Sequence, residues 1–359
     1  MKNKGFLKLV LTTMVYGIIT VSVIVAVNVS VDASSVIRPQ HTELAKLALA
    51  GNTVAVPENY NERVFQVCIV DNMQKIPRTV VIGNSRGMFL GQEITGYTDI
   101  YNNCVSGACL EDYYALLGLY YNKFGEVPKR VIIETSPWVF YNNNPESRWR
   151  EDEKYKQSAR EFFNMINHTD ISVTKDVEKE NPYISFSYFR YNMDKWFEEG
   201  NEVFTEDARV SDDVNEAAEY SDGTIRYNAF LENESEKRLA DVQATNGACT
   251  YQDSNNMLEV DSEKRKGYEN LIDYLQDSGT EVLIYMQPFS ATQSYYSFDE
   301  NMNPGYPLVY DYLIDLAEEK DIEIRGGYDA RDFGLDDVRF IDYMHIDRAG
   351  TNIVWNYHK

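Results

Sequence analysis

Cysteine and histidine are both scarce in this chain, and each scarcity excludes a class of protein. The 359 residues include only 4 Cys and 4 His. Four cysteines exclude a mini-fold held together by disulfides, and four histidines leave few ligands for a multi-histidine metal centre. We therefore expect neither a metal site nor any other cofactor. An even cysteine count outside the cytoplasm still permits two disulfides, in any of three pairings.

Basic residues are also in short supply. The chain has 34 Lys and Arg against 57 Asp and Glu, a formal net charge of −23. Nucleic-acid binders need clustered Lys and Arg to contact phosphates, so this balance excludes a nucleic-acid partner. The acidity is typical of a soluble surface, and it disfavours a strongly anionic polymer as partner. Apolar residues, at 43%, suffice for a sizeable core.

Charge is absent altogether from residues 9–31, which predicts a membrane-spanning helix. At 1.5 Å per residue this helix would measure about 34 Å, enough to cross a hydrocarbon core of about 30 Å. Lys2, Lys4 and Lys8 precede it and favour an N-terminus in the cytoplasm, with the rest of the chain outside. The competing hypothesis is a signal peptide cleaved after Ala33, which would give a secreted protein. We favour the uncleaved anchor because the apolar segment is longer than a usual signal peptide core.

After residues 1–33, the chain divides into a stalk and lead-in at 34–77 and a domain at 78–359. Within that domain, short apolar runs alternate with helical patterns, which predicts a three-layer α/β/α fold with a parallel five-stranded sheet. A polar stretch at about 141–258 interrupts the alternation and is interpreted as an insertion with several helices. The predicted strands are 79–82, 98–105, 130–133, 281–286 and 322–324.

The sharpest local motif is Gly-Asn-Ser-Arg-Gly at 83–87, directly after the first predicted strand. Ligands bind beyond the carboxyl ends of parallel strands, so this is where a site is expected. The flanking glycines allow a tight turn that exposes the Ser85 hydroxyl. Taken alone, an ordinary strand-to-helix turn explains the motif equally well.

A second motif, Asp342-x-x-His345, precedes the last predicted helix. On a helical turn this spacing places both side chains on one face. The carboxylate can then hold one imidazole nitrogen and leave the other as a base toward a hydroxyl. Taken alone, the pair is more typical of a helix cap with a surface histidine.

Together, the two motifs resemble the SGNH hydrolase superfamily, the GDSL-type esterases and acetyltransferases. The resemblance implies a catalytic triad of Ser85, His345 and Asp342. It also implies an oxyanion hole formed by the N–H groups of Ser85 and Gly107, since Gly107 follows the second strand as the glycine of the family's second block does. Gly-Asn-Ser-Arg after a membrane anchor is most similar to the branch of alginate O-acetylation and teichoic-acid D-alanylation proteins.

The chain departs from the family pattern at two places. Asn84 stands where the family usually has Asp before the serine. After the third strand the family usually has an Asn that donates to the oxyanion, and here the corresponding donor is Thr135 or Ser136, or is missing. Losing one such donor costs on the order of 10² to 10³ in rate.

The resemblance implies an enzyme, a serine-dependent acyl-ester hydrolase or O-acyltransferase acting on a cell-envelope or exported polysaccharide. The expected partners are an acylated glycan or acyl donor and a membrane-bound O-acyltransferase. The alternative is a catalytically silent protein of the same fold that binds polysaccharide or assists its acylation. Aromatic side chains near the strand ends could stack on sugar rings or simply pack in loops: Trp138, Tyr141, Tyr295 and Tyr296.

Overall fold

The computed structural model describes residues 2–56, 61–141, 144, 146–171, 181–200, 208–227, 257, 259–290 and 305–357. In chain order its helices and strands are α1 (Lys2–Val31), α2 (His41–Leu49), β1 (Val54–Ala55), α3 (Glu62–Asn72), β2 (Thr79–Ile82), α4 (Gln92–Thr95), β3 (Ile100–Asn102), α5 (Leu110–Phe124), β4 (Arg130–Glu134), α6 (Glu153–Asn167), α7 (Phe186–Glu199), β5 (Ala218–Glu219), β6 (Ile225–Arg226), α8 (Ser262–Asp277), β7 (Glu281–Met286), α9 (Gly305–Lys320), β8 (Glu323–Gly326) and α10 (Arg348–Trp355).

Five parallel strands form the main sheet, in the order β3-β2-β4-β7-β8. The predicted five-stranded parallel sheet is therefore confirmed. Its central strands read as continuous apolar runs because both faces of a parallel sheet are covered. In β4, for example, Val131 and Ile133 pack into one apolar core, whereas Ile132 between them packs into the other.

Helices cover both faces of this sheet, as the predicted α/β/α layering requires. The larger core contains buried residues from α2, α3, α5, α6, α8 and α9. The smaller core lies against α4, α10 and the turns that precede α10. Successive side chains along a strand point to opposite faces of the sheet, so β2, β3, β4 and β7 each contribute to both cores.

The segment predicted as a stalk and lead-in, 34–77, contains α2 and α3. Leu44 and Phe65 from these helices are buried in the same core as the central strands. The predicted insertion at 141–258 contributes α6, which lies along α5 closely enough that a Cβ on Gly118 would meet the Ser158 carbonyl oxygen at 2.7 Å. It also contributes β5 and β6, which join β1 in a small antiparallel sheet.

The apolar N-terminal helix predicted from the sequence is confirmed as α1. Residues Lys4–Val31 form a helix long and apolar enough to cross a membrane. Its apolar side chains are exposed over most of its length, and those of Phe6, Leu9 and Ile18 are each more than 60% exposed. Its orientation and its retention in the mature protein stay predictions.

Candidate active site

Ser85 lies at the carboxyl edge of the sheet because it follows β2, and two residues, Gly83 and Asn84, turn the chain sharply there. Gly83 adopts φ +151° and packs on Glu134, whose Cβ lies 2.5 Å from where a Gly83 Cβ would stand. Only glycine fits there. The Asn84 side chain then accepts a hydrogen bond from the Arg86 N–H at 2.9 Å and caps the 3₁₀ turn Ser85–Gly87. The result is a half-buried serine at the start of that turn.

Asp342 and His345 lie in a loop before α10, rather than on a helical turn as their spacing suggested. The Ile341 N–H donates to the His345 carbonyl at 2.8 Å, which closes the loop. Inside it, Asp342 Oδ1 accepts the N–H groups of Met344 and His345, both at 2.8 Å. A carboxylate that binds the backbone two and three residues ahead is a common loop device. It fixes the carboxylate beside the imidazole without a helix.

The three residues predicted as a triad meet in space, although Ser85 and His345 are 260 positions apart. Ser85 Oγ lies 2.7 Å from His345 Nε2, and His345 Nδ1 lies 2.7 Å from Asp342 Oδ2. Both distances are within hydrogen-bonding range. With its Nδ1 proton donated to the carboxylate, the imidazole presents Nε2 as a base to the serine hydroxyl.

The Asp342 carboxyl is held in its ionised form. Partial burial alone would raise its pKa, but the hydrogen bond and charge of His345 and the N–H groups of Met344 and His345 lower the pKa below its ordinary value. A carboxyl of this kind stabilises the fold above its unfolded pKa of about 3.9. That stabilisation is lost as the pH falls through the lowered folded pKa.

We therefore expect the stability difference between wild type and Asp342→Asn to depend on pH. Wild type should be the more stable at pH 6, and the difference should shrink at pH 3. Below the unfolded pKa of about 3.9, the unfolded chain takes up a proton on Asp342 more readily than the folded protein does. Urea unfolding of the full chain in mild detergent measures the free energy of unfolding of both proteins. A difference that stays the same at both pH values would contradict the lowered pKa.

The predicted oxyanion donors lie on neighbouring parts of the sheet edge. The Val105 N–H donates to the Gly83 carbonyl at 3.0 Å, so the segment after β3 runs beside the segment after β2. Among the described residues, the N–H groups of Ser85 and Gly107 donate no hydrogen bond to the chain. The peptide that carries the Gly107 N–H is oriented from its other end, because Arg148 Nη2 donates to the Ser106 carbonyl at 2.8 Å. Both groups stay predicted donors.

The hydroxyls of Thr135 and Ser136, named as alternative donors, have other partners. Thr135 Oγ1 is 2.7 Å from the Tyr268 hydroxyl, and Ser136 Oγ donates to Glu134 Oε1 at 2.7 Å. Both residues are fully buried. Since the single proton of the Ser136 hydroxyl is used within the core, the backbone N–H groups are the better candidates for the oxyanion hole.

A buried charged network lies beneath Ser85, and neither sequence motif indicated it. Glu134 Oε2 accepts the Asn84 N–H at 3.0 Å, and the Ser136 hydroxyl on its other oxygen lies 3.5 Å from Arg86 Nη1. Arg86 is completely buried, and Gln287 Nε2 donates to its carbonyl at 2.7 Å. Burial raises the pKa of Glu134 and lowers that of Arg86, while the charge of each opposes the shift of the other.

One signal in the sequence could have identified this network. Glu134 is a carboxylate that ends a buried apolar strand, and Arg86 is a cation that follows Ser85. Buried charges occur mainly as pairs. An acid and a base at the carboxyl ends of neighbouring strands therefore indicate two opposite charges buried near each other.

Replacing Glu134 by Gln should destabilise the fold by about 3 kcal/mol, because Arg86 would then be buried without an anion. The new amide would also present N–H groups to the Asn84 N–H or the Ser136 hydroxyl, which already donate at that site. Glu281→Gln is the matched control. Glu281, the first residue of β7, pairs with Arg130 at 2.6 Å, but its side chain is 51% exposed. Its replacement should therefore lower the free energy of unfolding by no more than about 1 kcal/mol. Chemical unfolding of the two variants measures both effects, and equal losses would contradict the role of Glu134.

The structure describes two of the four aromatic residues that were predicted to stack on sugar rings. Trp138 is 4% exposed and lies 5.6 Å from the Arg86 guanidinium, so it packs in the core and has little face to offer a sugar. Tyr141 is half-buried. Tyr295 and Tyr296 lie outside the described residues. Stacking on a glycan therefore stays a prediction, and Tyr141 is the more exposed of the two described residues.

The described cysteines are free thiols. Cys104 and Cys109 are buried, Cys68 is half-buried, and Cys249 lies outside the described residues. Burial raises the pKa of the Cys104 and Cys109 thiols, so both are protonated and unreactive at neutral pH. Within the described ranges, no three His, Cys, Asp or Glu side chains are grouped as metal ligands.

Comparison with known proteins does not assign the chain to a family. No protein-family model matches the chain, and no curated protein matches it significantly. The resemblance to SGNH hydrolases therefore rests on the two motifs and on the geometry that brings them together.

Proposed function

We propose that this protein is a serine-dependent acyl-ester hydrolase or O-acyltransferase of SGNH type, acting on a cell-envelope or exported polysaccharide. The observation that carries the proposal is the hydrogen-bonded chain from Ser85 through His345 to Asp342, with both links at 2.7 Å. Elements far apart in sequence converge to make it. A surface histidine with a capping aspartate has no reason to meet a serine at the nucleophile position of an α/β sheet.

The proposed mechanism has two steps. His345 takes the proton of the Ser85 hydroxyl while its oxygen attacks the ester carbonyl, and Asp342 stabilises the imidazolium that forms. The N–H groups of Ser85 and Gly107 bind the oxyanion of the tetrahedral intermediate. The imidazolium then protonates the departing alcohol, leaving an acyl-serine. Water or a sugar hydroxyl, deprotonated by His345, attacks that ester and releases Ser85.

The cellular setting in the proposal comes from α1 and from the family resemblance. With α1 as an uncleaved anchor and its lysines in the cytoplasm, the α/β domain works outside the membrane. The resemblance to the alginate and teichoic-acid branch supports a polysaccharide acceptor and a membrane-bound O-acyltransferase as partner. A net charge of −23 favours a glycan without dense negative charge. A strongly anionic glycan would need a local cluster of Lys and Arg residues to bind.

A second candidate is a silent binding or assembly protein with the same fold. The observation that favours it lies after the third predicted strand, where Thr135 and Ser136 stand in place of the family's Asn. Their hydroxyls are hydrogen-bonded to Tyr268 and Glu134. A site with weak oxyanion stabilisation could hold a glycan without turning it over. The two candidates differ in whether Ser85 ever becomes acylated.

Burst kinetics with p-nitrophenyl acetate separate the two candidates. If the full chain in mild detergent is an acyl-transfer enzyme, it should release about one p-nitrophenolate per protein in a fast phase, followed by slower turnover. Adding a neutral oligosaccharide tests the acceptor, because a transferase should turn over faster and yield an acetylated sugar. Release no faster than the spontaneous reaction, from folded protein, would support the silent binding protein.

A further inference from the structure

A second helix with an exposed apolar side, α7, is joined by hydrogen bonds to the end of α1. We infer that α7 lies at the membrane–water interface on the outer face of the membrane that α1 spans, with its apolar side in contact with lipid. The inference rests on the proposal that α1 remains in the membrane as an anchor. It concerns how the domain is held at the bilayer and does not depend on the chemistry of Ser85.

The first observation is that α7 is fastened to the last turns of α1. The Asn28 side chain donates to the carbonyls of Pro182 and Ser185, at 2.8 and 3.0 Å, and accepts from Asn192 Nδ2 at 3.2 Å. Asn192 Oδ1 accepts the Ala33 N–H at 2.9 Å. Asn28 and Asn192 are both fully buried, so this joint is a built contact that holds α7 beside the end of α1.

The position of the joint along α1 gives its depth in the membrane. Asn28 lies three residues before the end of the helix at Val31, which is about 4.5 Å along the axis. An apolar segment of about 34 Å in a hydrocarbon core of about 30 Å places its last turn at the headgroup boundary. A helix fastened at Asn28 therefore lies at the level of the membrane surface.

The second observation is the distribution of side chains around α7. At 100° per residue, five apolar side chains fall within a sector of about 100°. The remaining sides carry charged and polar residues, including Asp194, Lys195 and Glu198. The apolar side, called here the aromatic stripe, consists of Phe186, Phe189, Met193, Trp196 and Phe197.

The aromatic stripe is open to its surroundings. The exposed fractions of Phe186, Trp196 and Phe197 are 62%, 40% and 79%, and the neighbouring Tyr183 and Ile184 are also exposed. An exposed apolar patch of this kind marks an interaction site. Phe, Trp and Tyr on one side with charges on the other are typical of a helix that lies in the membrane interface. Lipid is the expected occupant because the joint already holds the stripe at the membrane surface.

Two contacts with one bilayer have a mechanical consequence. A single helix leaves the domain free to rotate about the helix axis and to tilt. A second, amphipathic helix beside it restricts both motions, so the α/β domain would present a constant side to whatever else resides in the membrane.

Trp196 makes the inference measurable, because the other three tryptophans of the chain are buried. Trp138, Trp149 and Trp355 are 4%, 1% and 4% exposed, and α1 contains no tryptophan. The full chain is reconstituted into vesicles of dioleoylphosphatidylcholine and dioleoylphosphatidylglycerol, with or without phospholipids brominated on the acyl chains. The emission of Trp196 is obtained by subtracting the spectrum of Trp196→Phe.

The emission of Trp196 should be largely quenched by brominated lipid and little affected by iodide in the aqueous phase. Phe197→Asp should reduce the quenching, whereas Asp194→Asn, on the charged side, should leave it unchanged. Emission quenched by iodide but not by brominated lipid would overturn the inference. The aromatic stripe would then face water or a protein partner instead of lipid. Flotation of the vesicles separates the two failures. If the protein does not float, the anchor and the stripe both fail; if it floats without quenching, only the stripe fails.

Discussion

Replacing Ser85 by Ala should lower kcat for ester hydrolysis by on the order of 10⁴- to 10⁶-fold while the fold stays intact. In the proposed mechanism the Ser85 hydroxyl oxygen forms the bond to the acyl group. Among the described residues, no other side chain is hydrogen-bonded to His345 Nε2. The backbone N–H of residue 85 remains in the variant, so a small rate above water should persist from the oxyanion hole. Steady-state and burst kinetics with p-nitrophenyl acetate measure the loss.

The matched control for Ser85→Ala is Ser278→Ala. Ser278 is exposed and follows α8, just before β7 begins, so it lies at the opposite edge of the sheet from the site. Its loss should leave kcat unchanged. If Ser85→Ala kept the activity of wild type, the hydrolysis would come from another nucleophile, and the proposed function would be wrong.

Asp342→Asn should reduce kcat by about 10⁴-fold, the second largest effect we expect. In wild type, Asp342 Oδ2 accepts the proton on His345 Nδ1, which leaves Nε2 free to accept the serine proton. An Asn amide donates at that position instead, so the imidazole would place its proton on Nε2. That tautomer cannot act as a base toward Ser85.

The control for this variant is Asp347→Asn. Asp347 also binds a backbone N–H through its carboxylate, that of Gly350 at 2.6 Å, at the start of α10. Asn is as good as Asp at a helix N-cap, so this variant should fold and keep its activity. Asp342→Asn keeps its own bonds to the Met344 and His345 N–H groups through Oδ1. A loss of activity equal in both variants would indicate a damaged loop rather than a wrong tautomer.

The parts of the fold that could be predicted are those in which local sequence and burial agree. The strands Thr79–Ile82 and Glu281–Met286 have the bounds expected, because continuous apolar runs between breakers have few alternatives in a parallel sheet. Ser85 was found for a similar reason. A Gly-flanked serine after such a run lies at the edge where parallel sheets bind ligands.

The parts that could not be predicted depend on contacts between distant segments. The link of Ser85 to His345 was inferred only through the family resemblance, since no local pattern joins positions 260 residues apart. The loop of Asp342 and His345 was expected to be helical, because spacing alone does not distinguish a helical turn from a loop closed by a carboxylate. Arg86 and Glu134 were missed as a pair because no local pattern joins them; only their shared place at the carboxyl ends of neighbouring strands indicates it. Each reads as a surface charge until the topology buries both.

The most direct test of the account is a covalent label on Ser85. The full chain in mild detergent is incubated with a fluorophosphonate, which reacts with activated serines, and the adduct is located by mass spectrometry. We expect one adduct, on Ser85, and its loss in His345→Asn. His168→Asn should still be labelled, because His168 is an exposed residue at the end of α6 with a left-handed backbone conformation that Asn tolerates. Folded wild-type protein that takes no label, or takes it equally in His345→Asn, would contradict an activated Ser85.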